Sequence, residues 1–216
     1  MCRRLAAVVL GLLPLAPAAT GAGPELTLSA GLRTGETAFT TDAYSPDIVC
    51  ITTPCVTADV LTKDEQARLT LILDVPFSPR WMVELLYTDQ DGDHDFRTDH
   101  PSIVVEQGSY EWTTAQVGVL RHWGDDRLRP FAAGALGATR FESSVPGYGR
   151  PFFPGIVPTP VDEEVLSGSL AGGVKFGLGR HLALRLEGRG WWHDLPERLA
   201  GSLWQGEGSA GLTYRW

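Results

Sequence analysis

The residues with most chemical potential stand in small, separate groups. Asp89-Gln-Asp-Gly-Asp-His-Asp95 sets carboxylates at alternate positions, an oxygen-rich pattern that suits Ca²⁺. Its spacing departs from an EF-hand loop. Gly92 follows the second acid instead of the third, and the twelfth position from Asp89 is His100, where a bidentate Glu is needed. The segment therefore reads first as a solvated acidic loop and second as a weak Ca²⁺ site. Cys50 and Cys55 enclose Ile-Thr-Thr-Pro. Two cysteines without a neighbouring His pair are too few for a zinc cage; in an exported chain they read as a disulfide, with two free thiols as the alternative. Lipid-deacylating chemistry would need a Ser, a His and an acid on a lipid-facing surface. His122 has no Ser within two residues, His181 falls in a tight turn, His193 falls at a loop, and Ser167 and Ser169 fall on the interior phase of a strand. No Gly-x-Ser-x-Gly elbow occurs. The chain reads as a non-enzyme, with no catalytic, cofactor or metal residues assigned.

These groups must be held by the rest of the chain, which begins with an address. Arg3 and Arg4 precede an apolar stretch from Leu5 to Leu15, and small residues follow from Ala18 to Gly23. That is the layout of a secretory signal peptide, residues 1–22, with cleavage after Ala22 and Thr20 at −3; Ala19 is the second choice. Pro14 and Pro17 oppose a buried helix there. The remainder, 23–216, reads as one domain. The 216-residue chain is 43% hydrophobic, which excludes a disordered chain, and carries a net charge of −8, which argues against nucleic-acid binding. Beyond residue 22 no apolar run approaches the ~20 residues of a spanning helix, a test that leaves membrane-spanning strands open.

Eight stretches alternate with period two. Leu26, Leu28, Ala30 and Leu32 oppose Thr27, Ser29, Gly31 and Arg33. Leu69, Leu71, Leu73 and Val75 oppose Arg68, Thr70, Ile72 and Asp74, and Trp81, Val83, Leu85 and Tyr87 enclose Met82, Glu84 and Leu86. Ala115, Val117 and Val119 enclose Gln116 and Gly118; Phe131, Ala133 and Ala135 oppose Gly134, Leu136 and Arg140. Leu170, Val174, Phe176 and Leu178 oppose Ser169, Ala171, Gly173 and Lys175; Leu182, Leu184 and Leu186 oppose Arg185, Glu187 and Arg189. Ala210, Leu212, Tyr214 and Trp216 oppose Ser209, Gly211, Thr213 and Arg215. Successive side chains on a strand point to opposite faces, so each stretch offers one apolar and one polar or small face.

The joins alternate as well. Tight turns fall near 76–80, 124–129 and 179–181; long connections span about 34–66, 89–110, 142–165 and 193–206. This predicts an all-β, eight-stranded antiparallel up-and-down transmembrane barrel, with short periplasmic turns, long extracellular loops and both termini periplasmic. Trp81, Phe131, Tyr214 and Trp216 would form one aromatic girdle, and Tyr87, Tyr110, Trp112, Phe141 and Trp192 the other. Seven basic residues (Arg33, Arg68, Arg140, Lys175, Arg185, Arg189 and Arg215) would face inward against Glu84 and Glu187, with Asp74 joining at the turn. Buried charges must pair, so Glu84 and Glu187 are each expected to bridge more than one base. The long connections carry a net −14 against −10 for residues 23–216, which makes the exposed loops acidic and leaves the strands and turns basic.

Several stretches carry a resemblance. Leu128-Arg-Pro-Phe-Ala-Ala-Gly-Ala-Leu-Gly-Ala-Thr-Arg140, Ala171-Gly-Gly-Val-Lys-Phe-Gly-Leu-Gly179 with Leu182–Arg189, Pro79-Arg-Trp-Met-Val-Glu-Leu-Leu-Tyr87 and the ending Ala210-Gly-Leu-Thr-Tyr-Arg-Trp216 are similar to strands of the small outer-membrane β-barrels related to the OmpA membrane domain. That family more often ends in Phe. The resemblance implies an eight-stranded barrel in the outer membrane of a Gram-negative cell, handled by the barrel assembly machinery through the strand ending at Trp216; the chain itself is read as a monomer among lipid and lipopolysaccharide, with its oligomeric state open. It implies no shared reaction. The expected role is structural or surface-interacting. The 142–165 connection is the candidate partner surface, because Tyr148, Phe152, Phe153, Ile156 and Val157 make it unusually apolar. A small pore, a lipid-modifying enzyme and a soluble lipocalin-like barrel stay open as alternatives.

Overall fold

The computed structural model describes residues 23–34, 38–41, 58–62, 67–98, 106–144, 161–194 and 202–216. Residues 1–22, Cys50, Cys55 and the apolar segment 145–160 lie outside them. Ten strands occur in chain order: β1 (Glu25–Thr34), β2 (Ala38–Thr41), β3 (Ala58–Thr62), β4 (Ala67–Ser78), β5 (Trp81–Thr98), β6 (Glu106–His122), β7 (Leu128–Ser144), β8 (Val161–Gly177), β9 (Leu182–Asp194) and β10 (Ser202–Arg215). Eight of them close an antiparallel barrel: β4 follows β1, the strands then pair in sequence from β4 to β10, and β10 returns to β1. The small strands β2 and β3 extend the sheet by pairing β3 with the far end of β5, from Ala58↔Thr98 to Thr62↔His94. All eight periodic stretches of the sequence thus lie in barrel strands.

Closure is set by the first and last strands, whose register runs from Glu25↔Arg215 to Thr34↔Gly206. The Trp216 amide adds a bond to the Pro24 carbonyl at 3.2 Å. The tight turns have local causes. Pro79 and Arg80 alone separate β4 from β5. Between β6 and β7, Gly124 takes φ +86°, a left-handed conformation that side chains rarely adopt. Asp125 then accepts the amides of Arg127 at 2.9 Å and Leu128 at 3.0 Å through Oδ1, an Asx turn. These amides hold its carboxyl below the ordinary aspartate range, Leu128 contributing most.

Strand length departs from the sequence reading. A bilayer needs ~9–11 residues per tilted strand. β5 has 18 residues, and β6, β7 and β8 have 17 each. At ~3.3 Å per residue these strands rise roughly 20 Å past the spanning length. The expected acidic loop at 89–110 is therefore mostly hairpin: Asp89 to Phe96 pair with Glu106 to Thr113 on β6. Asp89–Asp95 lie on a strand, not on a loop free to wrap a cation. Backbone pairing outcompetes turn formation there because β6 supplies a complete ladder.

The two faces of the wall have inverted polarity. Leu28, Leu69, Val117, Leu136, Leu170 and Leu212 face out, with Leu170 72% exposed. Arg185, Lys175, Asp74 and Glu84 face in at 1% exposure or less. A soluble barrel would bury the leucines; this one presents them to its surroundings. Alternation is clearest along β9, where buried and outward residues exchange at every step.

One strand overturns its expected phase. On β7, Phe131, Ala133 and Ala135 are buried inside, while Leu136 and Arg140 are exposed on the outer wall. Phe131 therefore belongs to the lumen, not to a girdle. The physical reason is packing across the barrel: Phe131 stacks beneath the Arg185 guanidinium, 4.4 Å from its centroid, and joins Met82, Leu120, Ala133 and Ala171 in an apolar cluster. Trp112 and Phe141 also leave the expected second girdle. Trp112 is buried, and its ring meets Phe141 edge-on at 5.4 Å. Tyr87, Trp81, Tyr214 and Trp216 stand on the outer wall as expected, joined by Trp204, Trp123, Phe77 and Phe176.

Candidate functional site

The chemistry of the described residues is concentrated in the lumen, and period-two strands put it there. Lys175 on β8 donates to Glu25 on β1 at 2.6 Å and to Asp74 on β4 at 2.7 Å. Arg185 on β9 reaches Asp74 at 3.0 Å, Glu84 on β5 at 2.7 Å and Glu187 at 2.5 Å. Arg189 closes the chain with Glu84 at 2.8 Å and Glu187 at 2.6 Å. Arg129 on β7 also pairs with Glu25. Glu25, Asp74, Glu84 and Glu187 each hold at least two cations, as expected for Glu84 and Glu187, and Asp74 joins as expected. Charge-assisted bonds of this kind offset the desolvation of the ions only when every member is well placed.

Above this layer the lumen turns to hydroxyl and amide groups. Arg189 donates to Ser169 Oγ at 2.8 Å, Ser169 donates to Gln116 Oε1 at 2.6 Å, and Gln116 donates to Ser167 Oγ at 3.1 Å. Ser167 and Ser169 face inward as read from the sequence and are tied into this chain. A third layer pairs Arg68 with Glu207 at 3.2 Å, and Trp191 donates Nε1–H to the same carboxylate at 2.8 Å. The Arg68 guanidinium lies 4.0 Å from the Trp191 ring centroid and bonds Thr88. Uppermost, Thr139 Oγ1 lies 3.0 Å from His193 Nδ1 and 2.9 Å from Thr114 Oγ1. His193 stacks on Trp191 and meets Trp112 edge-on. His193 is thus a buried lumen residue, not the loop or interface residue expected, because it keeps the inward phase to the end of β9.

The expected seven-to-two excess of bases does not occur among the described side chains. The buried bases are Arg68, Arg129, Lys175, Arg185 and Arg189; the buried acids are Glu25, Asp74, Glu84, Glu187 and Glu207. The two sets are equal in number. Arg140 is the misplaced member: it lies outside, bonded to Asp162 at 2.8 Å and to Glu142 at 2.9 Å. Arg215 is half-buried and 3.4 Å from Glu25, and the side chain of Arg33 lies outside the described residues. Sequence reasoning missed Glu25, Glu207 and Arg129. A signal existed for Glu25 and Glu207, since each continues the inward phase of its strand by one alternate residue; Arg129 shares the β7 phase of Phe131, which the alternation reads as outward. Among the described residues no cluster of three or more metal-ligating side chains forms a cation site. Chemically the lumen is a bonded polar core that crosses the barrel from wall to wall.

Comparison with known proteins bears on this architecture alone. No family profile matches the chain, and no curated sequence does. Solved structures do. Neisserial surface protein A superposes with a TM-score of 0.54 at 11% identity, over 90% of this chain and 97% of that one. OprG of Pseudomonas aeruginosa gives 0.52 at 14% identity, over 91% and 97%. Ail, the attachment invasion locus protein of Yersinia pestis, gives 0.50 at 12% identity, over 90% and 99%. The fold is that of the small outer-membrane β-barrels, as the sequence resemblance implied.

Proposed function

We propose that this chain is an integral barrel of a Gram-negative outer membrane. Its filled lumen makes it a rigid post, and its long-connection end is the working surface. The observation that carries this reading is the polarity of the wall, with Leu170 exposed to 72% and Arg185 to 1%. Only a surrounding hydrocarbon phase makes that arrangement favourable. A cleaved signal peptide over 1–22 and a Cys50–Cys55 disulfide fit export to an oxidising compartment. The even strand count brings both chain ends to the short-turn end, which places them in the periplasm in this reading. There the last strand, ending at Trp216, faces the assembly machinery. The opposite end rises into the lipopolysaccharide layer on strands that outrun the membrane.

The role assigned is structural or surface-interacting, without catalysis. The hydroxyls of Ser167 and Ser169 are engaged with Gln116 and Arg189, away from the lipid where a deacylase would work. Two of the fold neighbours, a surface protein and an attachment invasion locus protein, carry names that fit such a role. The 142–165 connection is the partner surface proposed. Deleting each long connection in turn in the native cell, with adhesion and envelope integrity scored separately, tests the reading. Loss of adhesion with an intact envelope supports a surface role; loss of integrity alone supports a structural one. Steady single-channel steps of nanosiemens size from purified protein would overturn the filled lumen.

A further inference from the structure

The rim at the short-turn end departs from the acidic character of the chain. Arg80, Arg121, Arg127 and Arg180 are all exposed there, against Asp125 and Asp126. Oδ1 of Asp125 is already engaged with two backbone amides. At the other end the outer wall carries Asp89, Glu111, Glu142, Asp162, Glu164 and Asp194 against Arg140. The net charge of the whole chain is −8, so a basic rim is a local feature. Its centre is built. Arg121 on β6 pairs in register with Trp81 on β5. Its guanidinium carbon lies 5.2 Å from the Trp81 ring centroid and 5.3 Å from that of Trp123. Arg80 sits beside it, because the Arg80 carbonyl accepts the His122 amide at 3.0 Å. None of these four arginines has a carboxylate within ion-pair distance among the described residues.

We propose that this rim is a binding site for anionic phospholipid headgroups, with Arg121 as its central contact. A guanidinium offers a planar, bidentate match to a phosphodiester. Two indoles hold Arg121 at the level where aromatic rings meet headgroups. The apolar wall next to it, with Phe77, Trp81 and Leu128 exposed, receives the acyl chains of the same lipid. A free phosphate would use only the first of these features, so the site selects the lipid. The proposal rests on the membrane reading above and adds a lipid class and a named rim to it.

Native mass spectrometry of the full chain, released from bilayers of phosphatidylcholine mixed with phosphatidylglycerol, tests it. The wild type should retain phosphatidylglycerol in preference to phosphatidylcholine. R121Q should lower that preference by about fivefold, the effect of one charge at an anionic surface. R121K should fall between the two, because it keeps the charge and loses the stacked fork. R140Q, on the opposite rim, should leave the preference unchanged. Equal retention in wild type and R121Q would overturn the site, as would an equal loss in R140Q. Release of the retained lipid by soluble glycerol phosphate would also overturn it, by showing a site for free phosphoryl groups. Heat-modifiable electrophoretic mobility in the same bilayers reports folding. A chain that never gains it overturns the membrane reading and the site together, whereas a folded chain without lipid preference overturns the site alone.

Discussion

Replacing Arg185 by Met removes the most connected cation of the lumen while keeping much of its length over Phe131. Arg185 meets Asp74, Glu84 and Glu187, at 3.0, 2.7 and 2.5 Å, and is 1% exposed. Three lost ion pairs do not triple the cost, because each carboxylate keeps a second cation. Asp74 keeps Lys175 at 2.7 Å, Glu84 keeps Arg189 at 2.8 Å and Glu187 keeps Arg189 at 2.6 Å. What remains is one uncompensated negative charge shared by three buried acids. Breaking a buried pair by removing one partner costs ~3–5 kcal/mol, and the loss should fall in that range. With an m-value of ~1–3 kcal/mol/M in urea, a loss of ~4 kcal/mol moves the midpoint down by roughly 1.3–4 M. The assay is equilibrium urea unfolding in lipid vesicles, followed by tryptophan fluorescence. R185M combined with E84Q restores neutrality and should recover ~1–3 kcal/mol as a coupling energy. An R185M midpoint within experimental error of wild type would refute the argument that balanced charge holds the lumen. So would strict additivity of the two substitutions.

Other substitutions separate the wall from the lumen in the same assay. R140A breaks only exposed pairs and should cost less than ~1 kcal/mol, although its bonds to Asp162 are as short as those in the lumen. G173A would drive a methyl group against the Leu186 backbone carbonyl and to 2.7 Å from the Phe131 ring, and should cost ~1–3 kcal/mol through overpacking. G208A has open space around its new methyl and should be neutral or stabilising by up to ~1 kcal/mol. In the β6–β7 turn, amides hold the Asp125 carboxyl below the ordinary aspartate range, Leu128 first and Arg127 second. A depressed folded value stabilises the turn above the unfolded value and loses that contribution as pH falls through the folded one. The Leu128 amide resonance should therefore titrate with a midpoint below that of an unstructured aspartate, and D125A should abolish the transition.

The strand set was legible in the residues because period-two alternation with leucine on one face survives without knowledge of any partner. Leu182, Leu184 and Leu186 against Arg185, Glu187 and Arg189 permit one phase only. β7 was not legible in the same way. Phe131-Ala-Ala-Gly-Ala-Leu136 is apolar or small on both faces, so local pattern leaves its phase degenerate. The partner strands lift that degeneracy: Gly173 on β8 leaves the space that the Phe131 ring fills, and Arg185 covers the ring. The extent of β5 was hidden by its composition. Asp, Gly and His at 89–95 favour turns in isolation, but a full ladder with β6 satisfies their backbone.

The chain by itself determined the number of barrel strands, the alternation of short and long joins and the two-faced character of most strands. These follow from side-chain polarity and period, both local properties. Only the tertiary structure decided which acid meets which base. Glu25 and Lys175 are 150 positions apart, and Arg185 and Glu84 are 101 apart. Their contact depends on closure, because eight strands must complete a ring before opposite walls come within reach of a guanidinium. The charge balance of the described buried side chains therefore belongs to the closed barrel, and no single strand carries it.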